Sequence, residues 1–295
     1  MFDGFDTVQL DVGDTTIFAR RRGDGRPLLL LHGFPETHVM WHRVAPALAE
    51  RFTVVCADLR GYGRSGKPVS TPDHAPYAKS AMAVDMVRLM EALGFETFSV
   101  AGHDRGARVA YRLALDHPAR VERLALLDVI PTGEAFSRAD IRFALAFWPW
   151  SLLAQPEPLP ERLIAAAPDA VVNDVLANWG SDPASFPPEV RSAYLEALSD
   201  PEAIHAICEE YRAAADIDFA KDMEDRAANR RIRCPTLALW SKESALDSWY
   251  EHAGGPLGIW RTWATDVSGR AIAGGHFFPE QNSDETISEL RTFFE

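Results

Sequence analysis

Cysteine is scarce in this chain, and the three present, Cys56, Cys208 and Cys234, are scattered and odd in number. That excludes a disulfide framework or a clustered thiolate metal site, and reads as reduced, partly buried thiols. Positive charge is short as well: 30 Lys and Arg stand against 43 Asp and Glu, a formal net charge of −13. So acidic a chain is a poor partner for nucleic acid or an anionic membrane, and an anion site in it needs arginine concentrated locally. No apolar run approaches the roughly 18 residues of a membrane span. The opening residues, Met1-Phe2-Asp3-Gly4-Phe5-Asp6, hold acid and no apolar core, so no signal peptide is expected and the location expected is cytoplasmic. Internal repeats and low-complexity segments are missing too. What remains is an ordinary globular composition, 47% hydrophobic and 25% charged over 295 residues, long enough for a large core or two domains.

Short apolar runs alternate with amphipathic ones. Thr7–Val12 and Thr15–Arg20 read as a hairpin about Gly13-Asp14, a turn-forming pair. Leu28-Leu29-Leu30-Leu31 is apolar throughout, as a strand buried on both faces must be. A helical stretch through Trp41 and Val44 to Leu48, a strand at Phe52–Ala57 and a polar Gly-rich loop at Asp58–Ser65 follow. Val84, Met86, Val87, Met90 and Leu93 mark one face of a helix over Ala81–Leu93. Further strands are expected at Leu124–Val129, Thr236–Trp240 and Ala271–Ala273, with a last amphipathic helix at Ser283–Phe294. Strands alternating with helices predict an α/β fold, a mainly parallel sheet covered on both faces. The region 131–231 breaks the rhythm with helix-length stretches, aromatic clusters and seven prolines between Pro156 and Pro188. It reads as a helical cap inserted into a core of residues 1–130 and 232–295, lying over the carboxyl ends of the strands.

The stretch that organises the rest is Thr97-Phe98-Ser99-Val100-Ala101-Gly102-His103-Asp104-Arg105-Gly106-Ala107-Arg108. Strand-like residues run into Gly-His-Asp-Arg-Gly and then a helical pattern, the setting of a nucleophile elbow with Asp in place of Ser. The turn is tight enough to demand small neighbours, which Gly102 and Gly106 supply. It lifts Asp104 above the sheet at a helix N-terminus, where a carboxylate can attack carbon and form an ester.

This elbow, the preceding His32-Gly33-Phe34-Pro35, a helical insertion after the sixth core strand and the late Gly274-Gly275-His276 together resemble the α/β-hydrolase fold over essentially the whole chain. An Asp nucleophile places the resemblance among the dehalogenases and epoxide hydrolases of that superfamily. Gly102-His103-Asp104-Arg105-Gly106-Ala107-Arg108 is most similar to the haloacetate (fluoroacetate) dehalogenases. Haloalkane dehalogenases and epoxide hydrolases usually carry Trp where this chain has Arg105.

The resemblance implies an oxyanion hole from the backbone amides of Phe34 and Arg105. His276 is the expected base, late in the chain after a strand, in the order nucleophile, acid, histidine. The acid that orients it stays open: the resemblance favours Asp128, while Asp247, with Glu243 nearby, sits beyond a later strand where many relatives of the fold carry theirs. Arg105 and Arg108 stand about one turn apart and can reach one cavity, where a guanidinium fork matches a carboxylate. Two cations there also keep Asp104 ionised. In the fluoroacetate enzymes a His-Trp pair and a later Tyr hold the departing halide. Trp150 and Tyr211 match, Trp179 matches a further aromatic pocket residue, and Pro149 replaces the His. Proline brings no side-chain donor and no N–H.

The expected activity is hydrolysis of the carbon–halogen bond of a short 2-haloacid through an Asp104 ester, with a small anionic substrate, no metal and no organic cofactor. A homodimer through the cap is what the resemblance implies. The alternative is an epoxide hydrolase, with Tyr211 or Tyr194 protonating the leaving oxygen.

Overall fold

The structure is a computed structural model that describes residues 1–180 and 182–295. Eight strands form its sheet: β1 (Asp6–Asp11), β2 (Thr16–Arg22), β3 (Arg26–Leu31), β4 (Phe52–Ala57), β5 (Phe98–His103), β6 (Val121–Leu127), β7 (Thr236–Ser241) and β8 (Val267–Ile272). They lie in the order β1-β2-β4-β3-β5-β6-β7-β8. β1 and β2 pair antiparallel, as does β2 with β4, and every pairing from there to β8 is parallel. The central strands explain themselves: Leu28 to Leu31 and all of Phe52–Ala57 and Phe98–His103 are buried, because helices cover both faces of a parallel sheet.

The helices Lys79–Ala92 and Ser283–Phe294 lie where periodicity placed them, and the helical pattern after the elbow is a helix over Asp104–Asp116 that begins at the acid itself. The stretch before β4 is a 3₁₀ turn, His38–His42, and one short helix, Ala45–Leu48. Between β6 and β7 every described element is helical. β8 differs from expectation, running over Val267–Ile272 with alternate residues exposed. It is an edge strand, and its Ser268, Gly269 and Arg270 hide the apolar signal. Among the described residues no helix is long and apolar enough to cross a membrane.

Two glycines set the close packing under the elbow. A Cβ on Gly106 would stand 2.4 Å from the His32 carbonyl oxygen, and one on Gly33 would stand 2.6 Å from the Asp104 Cβ. The strand–helix junction therefore sits directly on the loop after β3, and any larger residue forces the two apart.

Candidate active site

The chain turns from β5 into its helix at Asp104, which takes φ 44°. A non-glycine residue in that left-handed region costs about 1–3 kcal/mol and persists only where the surroundings impose it. Asp104 is buried, and its Oδ1 accepts a hydrogen bond of 3.1 Å from the Phe34 amide. Among the described residues the Arg105 amide makes no such bond to this carboxylate. Burial opposes the charge on Asp104, but His276, Arg105, Arg108 and His103 outweigh it and hold the carboxyl below its ordinary range.

His276 follows β8, and its Nε2 lies 4.0 Å from Asp104 Oδ2. That is beyond hydrogen-bond length and about right for a bridging water. The same nitrogen is buried with no hydrogen-bond partner. On its other side, Nδ1 meets Asp128 Oδ2 at 2.6 Å. Asp128 follows β6, also at positive φ (54°), with Oδ1 fixed by the Ser241 amide at 2.7 Å. Asp247 is elsewhere: its Oδ1 accepts from Trp240 Nε1 at 2.7 Å. Glu243 Oε1 faces the Gly274 amide at 3.4 Å.

His103, one residue before Asp104, is buried behind the pair. Its Nδ1 meets Glu36 Oε2 at 3.0 Å and its Nε2 donates to the His276 carbonyl at 2.9 Å. The same Glu36 oxygen accepts from the Gly33 amide at 3.0 Å. One carboxylate thus ties the loop after β3 to the elbow, and through His103 to the histidine loop.

Arg105 and Arg108 are both buried, and both act on the charge of Asp104. Arg108 Nη1 donates to the Ile130 carbonyl and Thr132 Oγ1, each at 3.1 Å. Arg105 Nε lies 2.9 Å from both Glu210 oxygens, and its Nη2 also donates to Glu210. The guanidinium edge expected to grip a carboxylate is therefore held by one of the protein's own. Arg105 Nη1 and Arg108 Nε remain buried with no hydrogen-bond partner. Trp150 stacks near both guanidinium groups, 4.4 Å from Arg108 and 5.5 Å from Arg105, while Tyr211 lies 4.0 Å from Arg105.

A cavity of about 30 Å³ is lined by Asp104, Arg108, Trp150, Trp179 and His276. A wider one of about 320 Å³ adjoins it, sharing Asp128, Phe147, Trp179 and His276. Trp179 lies edge-on to His276 at 5.1 Å, and its carbonyl accepts from the His276 amide at 2.8 Å. Pro149 is buried in the short helix Trp148–Leu152. The side chains of Trp150 and Tyr211 make no hydrogen bond to protein among the described residues. Tyr194 does, donating to Glu280 Oε2 at 3.1 Å.

Sequence reasoning missed Glu210, Lys79 and Tyr62, which gather around Arg105. The signal was there: Ala203, Ala206, Ile207, Glu210 and Ala213 are all buried, so Glu210 falls on the apolar stripe of the helix Pro201–Ala213. Among the described residues no cluster of side chains could hold a metal ion.

A sheet of this order, with a buried acid on the turn after β5 and a histidine after β8 close to it, is that of a hydrolase of the α/β class. The family model described as alpha/beta hydrolase fold matches residues 26–280, and the chain belongs to that family. Within it, the chain belongs with the haloacetate (fluoroacetate) dehalogenases. It is 46% identical over 294 residues to a fluoroacetate dehalogenase of Burkholderia sp, covering 99% of this chain and 95% of that protein. It is 32% identical to a soluble epoxide hydrolase of Corynebacterium sp. (strain C12), over 92% of this chain and 91% of that one. A solved chain from Nostoc sp PCC 7120, described as a "putative alpha/beta hydrolase", is 47% identical with a TM-score of 0.96, over 100% of this chain and 99% of that one.

Proposed function

We propose that this protein hydrolyses the carbon–halogen bond of short 2-haloacids such as haloacetate, through an ester on Asp104. The observation that carries the reading is the pair of buried, unpartnered donors, Arg105 Nη1 and Arg108 Nε, beside an ionised nucleophile. A buried donor without an acceptor costs about 1–3 kcal/mol, and more when charged. A substrate carboxylate offers each of them an oxygen, and so aims its own α-carbon at Asp104.

Asp104 Oδ2 then bonds to that carbon as the halide leaves with the bonding pair. Oδ1, held by the Phe34 amide, becomes the carbonyl oxygen of the ester. Water attacks the Asp104 carboxyl carbon and gives its proton to His276 Nε2, with the Phe34 amide stabilising the oxyanion by about 3 kcal/mol. Collapse breaks the bond to the substrate oxygen, which takes the proton back from His276 and leaves as the 2-hydroxy acid, and loss of the remaining hydroxyl proton to solvent restores the Asp104 carboxylate. Asp128 orients His276 and stabilises its charged form, as the acid of a triad does. Trp150, Tyr211 and Trp179 form the halide side of the pocket in the helical segment 131–231, which serves as a cap.

Epoxide opening is the alternative, and the unpartnered Tyr211 hydroxyl favours it. A neutral epoxide, however, leaves both arginine donors unsatisfied. Halide release from fluoro-, chloro- and bromoacetate, with a neutral haloalkane and an epoxide as controls, tests the reading. Turnover of the epoxide or haloalkane without the haloacetates overturns it. The ester is tested by a single turnover in ¹⁸O-water, which should label Asp104. Label found only in the product overturns the covalent step.

A further inference from the structure

Glu210 is fully buried, and four groups converge on it. Arg105 gives it Nε and Nη2, as described above. Tyr62 donates its hydroxyl to Oε2 at 3.2 Å, and Lys79 Nζ pairs with Oε1. Lys79 is buried as well, with Asp218 Oδ2 3.6 Å from its ammonium and Asp218 Oδ1 accepting from its amide at 2.9 Å. Asp218 ends a π-helical turn, Ala214–Asp218, that directly continues the helix bearing Glu210. Such turns are costly irregularities and concentrate at functional sites.

A carboxylate this close to an anion-binding arginine is unexpected, because it opposes the binding of a second carboxylate. Its use lies in geometry. A free guanidinium would meet a substrate carboxylate fork to fork, through Nε and Nη2. That grip is closed by Glu210, which leaves Arg105 Nη1 and Arg108 Nε as the buried donors of the pair without a partner. We propose that Glu210 is a positioning residue for substrate orientation: by taking one edge of Arg105 it makes the substrate carboxylate bridge two arginines instead of docking on one. Tyr62 holds the second oxygen and fixes the carboxylate plane.

This inference rests on the 2-haloacid reading, so the test separates the two. Halide release by the unmodified enzyme examines the reaction alone. Glu210→Gln examines the clamp, in two measurements. Freeing the Arg105 fork and removing a negative charge should tighten binding of acetate, read by calorimetry without turnover, by about 3- to 30-fold. The same change should lower kcat on chloroacetate about 10- to 100-fold, because the carbon no longer lines up with Asp104, while KM falls or holds. A purely structural Glu210 predicts a lower melting temperature with kcat and acetate affinity unchanged, and that result overturns the proposal. So does a higher KM at constant kcat. Where Glu210→Gln fails to fold, Tyr62→Phe loosens Glu210 without touching Arg105. It should lower kcat about 3- to 10-fold at constant KM, and an unchanged kcat overturns the clamp. Acetate binding without halide release overturns the reaction alone, and no acetate binding by either protein overturns both.

Discussion

The imidazoles of His103 and His276 lie with their centroids 4.6 Å apart, and the first holds the backbone of the second. His103 is buried against Glu36. Burial works against its charge, but the Glu36 carboxylate outweighs that and pushes its pKa up to about 9 from 6.5. A raised pKa stabilises the fold in full below about 6.5 and loses that contribution as the pH climbs through about 9. The contribution is on the order of 3 kcal/mol. We expect the denaturation midpoint to fall between pH 6.5 and 9.5, and His103→Gln to flatten that slope. An identical slope in the variant would assign the loss to other groups.

His276 should act on the second step only. His276→Asn is expected to release one equivalent of halide and then stall, leaving a stable mass increase on the peptide that carries Asp104. A folded variant that fails to release even that equivalent would give His276 a part in the first displacement.

Asp128 and Asp247 offer a paired comparison. Asp128→Asn leaves His276 without the 2.6 Å partner at Nδ1 and should slow ester hydrolysis by about 10²- to 10⁴-fold. Asp247→Asn removes only an acceptor from Trp240 and should leave turnover close to that of the parent. The opposite ranking would transfer the orienting role to the later residue.

These residues also show what a sequence carries and what it hides. The elbow was legible because its geometry restricts the residues: Gly102 and Gly106 flank the turn, and only a small residue fits at Gly106. β3 and β4 were legible because strands buried on both faces are apolar end to end. β8 was legible only at its end, since an edge strand carries polar residues outward. The choice between Asp128 and Asp247 was open because both follow strands, and only the packing of β6 against β7 brings one of them to His276. Glu210 was overlooked because an acid on a helix ordinarily faces water. Its place on a buried stripe shows only when burial is considered ahead of charge. The arginine pair was legible as cations, but which edge Arg105 presents depends on Glu210, more than a hundred residues away, and that of Arg108 on Ile130 and Thr132 after β6.

The last expectation concerns Pro149. Fluoride is the poorest leaving group among the halides and depends most on hydrogen bonds, each charge-assisted one contributing about 1.5–3 kcal/mol in a dry pocket. Trp150 Nε1 and the Tyr211 hydroxyl have no protein partner among the described residues and are free to serve a halide, but Pro149 adds nothing to them. One missing donor should slow fluoride displacement about 10- to 100-fold relative to a pocket with histidine there. Chloride and bromide leave with far less help. The protein is therefore expected to prefer chloro- or bromoacetate. Pro149→His should raise kcat/KM for fluoroacetate by that factor and change chloroacetate much less. Steady-state kinetics on both substrates, in parent and variant, provide the check. If the parent already turns over fluoroacetate faster than chloroacetate, the count of donors is wrong and another group must solvate the fluoride.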